Sequence, residues 1–132
     1  MSQENVETIR AALDAMNRRD IDRYLAHCTA DVELRPPTDP IEGPYIGPDG
    51  VRRYFLDVED AAPDFHLHAD RIEAVGDSRV IGFLRMTATF RTSGLPADQQ
   101  VTTVYDLVEG KISHIRVFLD RQEALKAVGL EE

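Results

Sequence analysis

The sequence predicts an α+β fold: a cone-shaped, curved and mostly antiparallel β-sheet wraps around about three N-terminal helices, with a short C-terminal helix. Apolar residues recur mainly at helical spacing before Pro63 and alternate at the two-residue period of strands after Asp64. In the stretch 101–120, two alternating runs flank Glu109-Gly110, which is the spacing of a β-hairpin with a two-residue turn. Helices followed by a meander of strands are typical of this fold class.

Two helices are predicted at the start of the chain. Residues 3–17 carry one apolar stripe, formed by Val6, Ile9, Leu13 and Met16. The sequence Asn17-Arg18-Arg19-Asp20 interrupts this stripe, and Asp20 can cap a second, shorter helix. The buried stripe of the second helix would consist of Ile21, Tyr24, Leu25 and Cys28. We expect the two helices to pack as a hairpin.

A short strand and a third helix follow. Val32 and Leu34 alternate with polar residues until Pro36-Pro37 ends the strand. Residues 36–50 are rich in proline and predict a surface loop with one short strand around Tyr45-Ile46. Gly47-Pro48-Asp49 then starts a third helix, which Pro63 ends.

Four strands and a final helix complete the prediction. The strands span 65–75, 79–92, 100–108 and 111–119, with turn residues between them. In the last strand Ile115, Val117 and Leu119 share the face that we expect to be buried. The helix at 121–128 follows Asp120 as its N-cap and ends at Gly129.

Length and composition predict a single soluble domain spanning residues 1–132. The chain is 42% hydrophobic and 30% charged, and its one cysteine excludes an internal disulfide. No basic leader and no apolar run of membrane-spanning length is evident, so we expect a cytoplasmic protein without a membrane partner. A net charge of −9 makes nucleic acid an unfavourable partner.

An ordered set of short motifs resembles the nuclear transport factor 2-like superfamily. These are the helical break at 17–20, Ala30-Asp31-Val32-Glu33 at the first strand, the helix start Gly47-Pro48-Asp49-Gly50-Val51, and the turn Glu109-Gly110-Lys111-Ile112. The chain is most similar to the SnoaL-like branch, which includes polyketide cyclases and is related to ketosteroid isomerases. The resemblance implies a cone with a cavity between helices and sheet, and a homodimer packed through the outer sheet face.

The catalytic residues of these enzymes do not carry over. The tyrosine and the two acids of ketosteroid isomerases would fall at Ala12, at Leu34-Arg35 and near Val104. The His/Asp pair of the polyketide cyclases would fall at Thr103 and Val117. The sequence therefore identifies no catalytic residue and leaves enzymatic activity undecided.

Tyrosines supply the best candidates for ligand binding. Tyr24, Tyr54 and Tyr105 fall on stripes that we expect to face inward, where a hydroxyl can donate to a ligand oxygen. Thr103 shares the face of Tyr105. The alternative for each tyrosine is a core position whose hydroxyl already has a protein partner.

Two arginines are further candidates. Arg35 leaves the first strand beside the proline-rich loop, and Arg85 lies in the middle of 79–91. If its face lines the cone, Arg85 with Thr87 would bind a carboxylate or phenolate. The opposite face, with Val80, Leu84 and Met86, is more apolar, which favours a solvated Arg85.

Other polar residues favour simpler interpretations. His66 and His68 share one strand face and could bind a metal, but without a third ligand we expect a solvated or dimer-facing pair and no metal or cofactor. Asp106 and His114 could pair across the hairpin as base and orienter, although an outer-surface contact is the simpler reading. Cys28 is expected to be a core residue.

The sequence therefore favours a small protein that encloses a compact apolar molecule. It would act as an isomerase, cyclase or dehydratase with a non-standard residue set, or as a non-catalytic binding or assembly module of the same fold. Val104, Val108 and Phe118 on the outer face are compatible with dimerisation.

Overall fold

The computed structural model describes residues 2–37 and 43–129 and confirms the predicted α+β architecture. Residues 38–42 of the predicted proline-rich loop lie outside this part of the chain. The helices are α1 (Ser2–Asn17), α2 (Ile21–Ala26), α3 (Gly47–Ala61) and α4 (Arg121–Ala127). The strands are β1 (Cys28–Arg35), β2 (Tyr45–Ile46), β3 (His66–Val75), β4 (Arg79–Thr89), β5 (Pro96–Val108) and β6 (Lys111–Phe118). No helix in the described ranges is long and apolar enough to cross a membrane.

The described strands form one sheet in the order β2-β1-β6-β5-β4-β3. Strands β3 to β6 pair as the predicted antiparallel meander. Strand β1 joins β6 in parallel and β2 in antiparallel orientation. The single parallel pair brings the strand that follows the first two helices beside the last strand, so that the helices lie against the inner face of the sheet.

The two sheet faces have different partners. The inner face packs against α1, α2 and α3 and forms the main core, which includes Ile9, Val32, Val51, Val80 and Ile115. On the outer face, Ile81 and Val104 are covered by Ala124 and Leu125 of α4. The short last helix therefore shields an apolar strip that a single-layer sheet would leave exposed.

The β5–β6 turn has the predicted hairpin chemistry. Glu109 and Gly110 both have positive φ, 51° and 79°, as a type I′ turn requires. Leu119, which was expected to be buried, is 54% exposed. The prediction was wrong because β6 ends at Phe118 and the chain turns outward, where the Asp120 carboxylate accepts a hydrogen bond from the Gln122 N–H.

Cys28 was also assigned to the wrong element. It is buried as predicted, but it begins β1 instead of continuing the α2 stripe. The Ile112 N–H donates to the His27 carbonyl at 2.8 Å, and Cys28 pairs with Ile112. Pairing with the distant β6 strand thus ends α2 at Ala26, a tertiary effect that local periodicity does not contain.

Asn17 does more than end the first helix. Its Nδ2 donates to the Leu67 carbonyl at 2.9 Å, and its Oδ1 accepts from the Leu67 N–H at 2.9 Å. Leu67 lies on β3, the edge strand of the sheet. One side chain therefore satisfies both backbone groups that this edge residue presents, and it fixes the end of α1 against the sheet.

Candidate functional site

A cavity of about 880 Å³ lies beside α3, near the ends of β1 and β4. Helix α3 contributes Tyr54, Val58 and Ala61, which share one face at helical spacing. Phe65 and Phe90 supply apolar wall from the segments that flank β3 and β4. A mostly apolar pocket with a few polar groups is typical of small-molecule sites.

The cavity rim is charged. Arg53, Asp57 and Asp60 line it from α3. The Tyr45 hydroxyl donates to the Asp57 carboxylate at 2.7 Å, and the Arg53 guanidinium lies 5.0 Å from the Tyr45 ring centroid. Tyr45 therefore closes one side of the rim and is held there by α3.

Aromatic rings lead from the cavity into the core. The centroid distances are 5.2 Å for Tyr45 and Tyr54, 6.5 Å for Tyr54 and Phe55, and 5.1 Å for Phe55 and Tyr24. All three contacts are edge-to-face, the favourable arrangement of aromatic pairs. Tyr54 is thus the link between the open cavity and the residues behind it.

Three of the four predicted inward residues, Tyr24, Tyr105 and Thr103, are buried behind that link. Burial raises the pKa of Tyr24 well above its usual value, and interactions with Tyr105 and Tyr54 add to the rise. Burial also raises the pKa of Tyr105, against a hydrogen-bonding interaction with Thr103. Because the three tyrosines influence one another electrostatically, their hydroxyls form one cluster, and all are neutral donors at physiological pH.

Two of these hydroxyls donate to no acceptor among the described residues. Within residues 2–37 and 43–129, no side chain or carbonyl accepts a hydrogen bond from the Tyr24 or Tyr54 hydroxyl. The Tyr105 hydroxyl has only the interaction with Thr103. Among the described residues, the one fully enclosed side-chain nitrogen or oxygen without a partner is His66 Nδ1. The tyrosine hydroxyls are therefore not sealed in the core, and they are suited to a ligand oxygen.

Arg19 is a site residue that sequence reasoning missed. It has a positive φ of 58°, and its guanidinium donates to the Met16 carbonyl at 2.9 Å and to the Phe65 carbonyl at 2.8 Å. It also lies 5.9 Å from the ring centroid of Phe65, which lines the cavity. Burial raises the pKa of Tyr54 to about 12, and the Arg19 charge opposes that rise. Arg19 thus places positive charge behind the cavity wall.

The two other predicted arginines do not join the tyrosines. Val80 and Leu84 face the core, so Arg85 lies on the outer face, where its Nε is 3.3 Å from an Asp98 oxygen. This is the alternative that the more apolar strand face favoured. Arg35 also lies outside the tyrosine cluster, because Leu34 takes the inward position; it pairs with Glu33 at 2.6 Å.

The remaining polar candidates lie on the outer face. Asp106 pairs with Arg79 at 2.7 Å and not with His114, whose Nε2 lies 3.4 Å from a Glu33 oxygen. The His66 and His68 ring centroids lie 4.3 Å apart, with the ring planes inclined at 48°. Burial and then His68 lower the pKa of His66. Among the described residues, no group of three or more His, Cys, Asp or Glu is placed to hold a metal ion.

We expect the protein to lose stability in alkaline solution. The pKa values of Tyr24, Tyr54 and Tyr105 are higher in the folded state than in the unfolded chain, so the folded state binds more protons above pH ~10. Their contribution is complete below that pH. It falls by about 1.4 kcal/mol per pH unit for each tyrosine that ionises only on unfolding.

Denaturant unfolding at about pH 9 and about pH 11 checks this sign, with tyrosinate absorbance recorded in parallel. The absorbance of Tyr24, Tyr54 and Tyr105 should rise together with unfolding. Ionisation of all tyrosines in a protein that is still folded would contradict the burial of the cluster. Tyr54→Phe should reduce the loss of stability between the two pH values.

A curved sheet over three helices, with a ligand-sized cavity backed by hydroxyl donors, defines a small α+β cone. The model of the SnoaL-like domain family matches residues 9–115, and the chain belongs to this family. The family fold includes polyketide cyclases, ketosteroid isomerases and ligand-binding proteins. No curated protein matches the chain.

Solved structures agree on the fold. An NTF2-like protein of unknown function from Burkholderia pseudomallei is 23% identical, with a TM-score of 0.80 and coverage of 97% of this chain and 98% of that one. TerC, co-crystallised with polyporic acid, is 21% identical, with a TM-score of 0.78 and coverage of 96% and 98%. A Mycobacterium tuberculosis protein in complex with estradiol-17β-hemisuccinate is 17% identical, with a TM-score of 0.75 and coverage of 92% and 96%.

Proposed function

We propose that this SnoaL-like domain, acting as a single unit of residues 1–132, binds a compact and mostly apolar molecule in the cavity beside Tyr54. The observation that carries the proposal is the cluster of Tyr24, Tyr54 and Tyr105 hydroxyls. Those of Tyr24 and Tyr54 have no acceptor within the described residues, and that of Tyr105 interacts only with Thr103. The apolar body of the ligand would lie against Phe65 and Phe90, and an oxygen atom would reach Tyr54.

The hydroxyl cluster is suited to a carbonyl, enol or phenol oxygen. Neutral donors aimed at such an oxygen stabilise the negative charge that develops on it. Tyr105 supports this chemistry, because it is the inward-facing residue near Val104, where a ketosteroid isomerase would carry its second acid. The same arrangement would serve an isomerase, a cyclase or a dehydratase.

Non-catalytic binding is the second candidate. Ala12 is buried in the core where the steroid isomerases have a tyrosine, and Leu34 also packs inward with no carboxylate beside the tyrosines. Proton abstraction next to a carbonyl needs a base within hydrogen-bond reach of the carbon acid. The nearest acids in the cavity, Asp57 and Asp60, lie on the rim, and Asp57 already accepts from Tyr45.

The bound molecules of two similar structures support a ring-containing ligand. TerC was co-crystallised with polyporic acid, and the Mycobacterium tuberculosis protein holds estradiol-17β-hemisuccinate. Transferring this property to the present chain is part of the proposal. No cofactor is needed for the binding that we propose.

Binding of 2-naphthol, a flat apolar phenol, tests the proposal. We expect saturable binding by the wild-type protein and about fivefold to tenfold weaker binding by Tyr54→Phe and Tyr105→Phe, the effect of about one lost hydrogen bond. Titration calorimetry or naphthol fluorescence measures both. Tyr45→Phe is the matched control, because its hydroxyl is already bonded to Asp57, and it should bind within about twofold of the wild type.

Equal 2-naphthol affinity of the wild type and all three variants would contradict the proposal. Absence of saturable binding by the wild-type protein would also contradict it. If binding is confirmed, proton exchange from a cyclic ketone in deuterated water separates an enzyme from a binding module. An enzyme would accelerate the exchange and Tyr54→Phe would reduce it.

We also propose a homodimer through the outer sheet face. Val104 and Phe118 pack with α4, so the charged residues around Asp106 and Arg116 would carry most of the contact. Such an interface should weaken with salt. Sedimentation that shows only monomer at micromolar concentration in low salt would contradict this part.

A further inference from the structure

Phe90 forms a wall of the cavity beside Tyr54 but lies beyond the end of its own strand. Strand β4 ends at Thr89, and Phe90 begins the hairpin tip, residues 90–95, that leads to β5. Because side chains alternate along a strand, the Phe90 ring has the inward direction of Leu84 and Met86. It is nevertheless 36% exposed. The position of this wall therefore depends on how the backbone on either side of it is held.

The backbone next to Phe90 extends past the neighbouring strand. The β3–β4 pairing begins at His66 and Thr87, so its register, continued by two residues, places position 64 opposite Thr89. Strand β3 begins only at His66 and supplies no backbone acceptor there. A backbone N–H that has lost its strand partner needs another acceptor.

The segment between α3 and β3 supplies the missing acceptors. The Asp64 carboxylate accepts a hydrogen bond from the Thr89 N–H at 2.7 Å. The Arg91 N–H donates to the carbonyl of Ala61, the last residue of α3, at 2.9 Å. This carbonyl has no partner within the helix, because the last turn of a helix leaves its carbonyls free. Phe90 is thus held between two attachments, one on each side.

The remaining hydrogen bonds of the tip are internal. The Phe90 N–H donates to the Leu95 carbonyl at 3.3 Å, and the Gly94 N–H donates to the Phe90 carbonyl at 2.8 Å. Leu95 is 66% exposed. Among the described residues, the Arg91 N–H provides the one hydrogen bond from residues 90–95 to the helical part of the chain. Thr89 and its bond to Asp64 therefore make up half of the attachment.

Asp64 is suited to this role because it is ionised. Hydrogen bonds from the Thr89 backbone and then from its side chain lower the pKa of Asp64. A hydrogen bond to a charged acceptor is stronger than one between neutral groups. Asp64 does not itself line the cavity, so it would act on a ligand only through the residues that it holds.

We propose that Asp64 is a positioning residue, which holds the Phe90 ring against the cavity and thereby slows the release of a bound ligand. Without the carboxylate, the Thr89 N–H loses its acceptor, and the tip can swing away from α3 about the remaining bond at Arg91. The proposal rests on the ligand binding that we propose for the cavity beside Tyr54.

Stopped-flow dissociation of 2-naphthol from the full chain tests the role of Asp64. We expect Asp64→Ala to release 2-naphthol about fivefold to tenfold faster than the wild type, the effect of about one lost hydrogen bond to a charged group. Asp64→Asn keeps an oxygen that accepts from Thr89, so its rate should rise by less than about threefold. Ser93→Ala is the matched control. It removes the hydroxyl that accepts from the Leu95 N–H inside the same tip, and its rate should stay within about twofold of the wild type.

A double-mutant cycle shows whether Asp64 acts through Phe90. Phe90→Ala removes the ring, so adding Asp64→Ala to this variant should change the dissociation rate by less than about twofold. An unchanged fivefold to tenfold effect in the absence of the ring would overturn the proposal, because Asp64 would then act by another route. Equal dissociation rates for Asp64→Ala and the wild type would also overturn it.

Amide hydrogen exchange of the ligand-free protein separates this role from ligand binding itself. The amides of Thr89 and Arg91 should exchange more slowly than those of Thr92 and Ser93, which donate to no acceptor among the described residues, and Asp64→Ala should accelerate exchange at Thr89. Absence of 2-naphthol binding by the wild type would remove the proposed function and with it the effect on release. Unprotected Thr89 in a protein that binds 2-naphthol would overturn only the role of Asp64. Thermal unfolding verifies that each variant is folded, and if Asp64→Ala is not, exchange at Thr89 in the wild type decides.

Discussion

Arg19→Ala is expected to lower the free energy of unfolding by about 3 kcal/mol. The guanidinium of Arg19 satisfies the carbonyls of Met16 and Phe65 and reaches that of Pro63 at 3.3 Å. It also pairs with Glu59 at 3.0 Å. Alanine leaves these acceptors without their donor while keeping the unfavourable positive φ, so nothing offsets the loss. Chemical denaturation measures the change.

The matched control is Arg18→Ala. Arg18 is the preceding residue, its side chain is 70% exposed, and its partner is Asp14 one helical turn away. An exposed pair of this kind contributes little, so the change should stay within about 0.5 kcal/mol. Similar losses for the two variants would show that the Arg19 contacts do not stabilise the fold. Arg19→Gly relieves the backbone strain and should therefore recover part, but not most, of the stability.

Gly50→Ala is expected to destabilise the protein by about 2 kcal/mol and to weaken ligand binding at the cavity beside Tyr54. A Cβ atom at position 50 would lie 2.9 Å from the carbonyl carbon and 3.3 Å from the Cα of Tyr45. These are backbone atoms of β2, which is paired on its other side with β1, so β2 cannot move without breaking that pairing. Tyr45 borders the cavity, and its displacement changes the rim.

Gly82→Ala is the corresponding control. A Cβ there would meet Leu84 Cδ2 at 3.4 Å and Tyr105 Cε2 at 3.5 Å, which are ends of side chains at ordinary contact distance. The cost should remain below about 1 kcal/mol. An unfolding free energy of Gly50→Ala equal to the wild-type value would mean that α3 and β2 are not held as closely as described, and 2-naphthol affinity provides the second readout.

Much of the fold could be predicted because its signals are local. The stripe from Ile9 to Met16 and the turn at Glu109-Gly110 contain the period and the turn chemistry that the chain needs. The ends of helices and strands could be predicted less well where contacts with distant segments determine them. Cys28 pairs with β6, and Leu119 follows a strand that ends one residue early. Neither effect is visible in a window of neighbouring residues.

The candidate site could be predicted only in part. Tyr24 and Tyr105 lie on apolar stripes, so their inward direction follows from periodicity, and the more apolar strand face correctly favoured an outward Arg85. Arg19 gave no such signal, because the sequence of a helix break does not reveal which arginine turns back toward the cavity. The neighbouring positions of Arg35 and Arg116 depend on the parallel register of β1 and β6, which joins residues far apart in the chain.

The two hydrogen bonds between Asn17 and Leu67 have a consequence for behaviour at high concentration. A second molecule that docks a strand against β3 needs the free N–H and carbonyl groups of that edge, and at Leu67 both are already occupied. The Asn17 side chain thus disfavours edge-to-edge strand pairing between two molecules at this point of the sheet. The residue that terminates the first helix also helps to keep the chains separate.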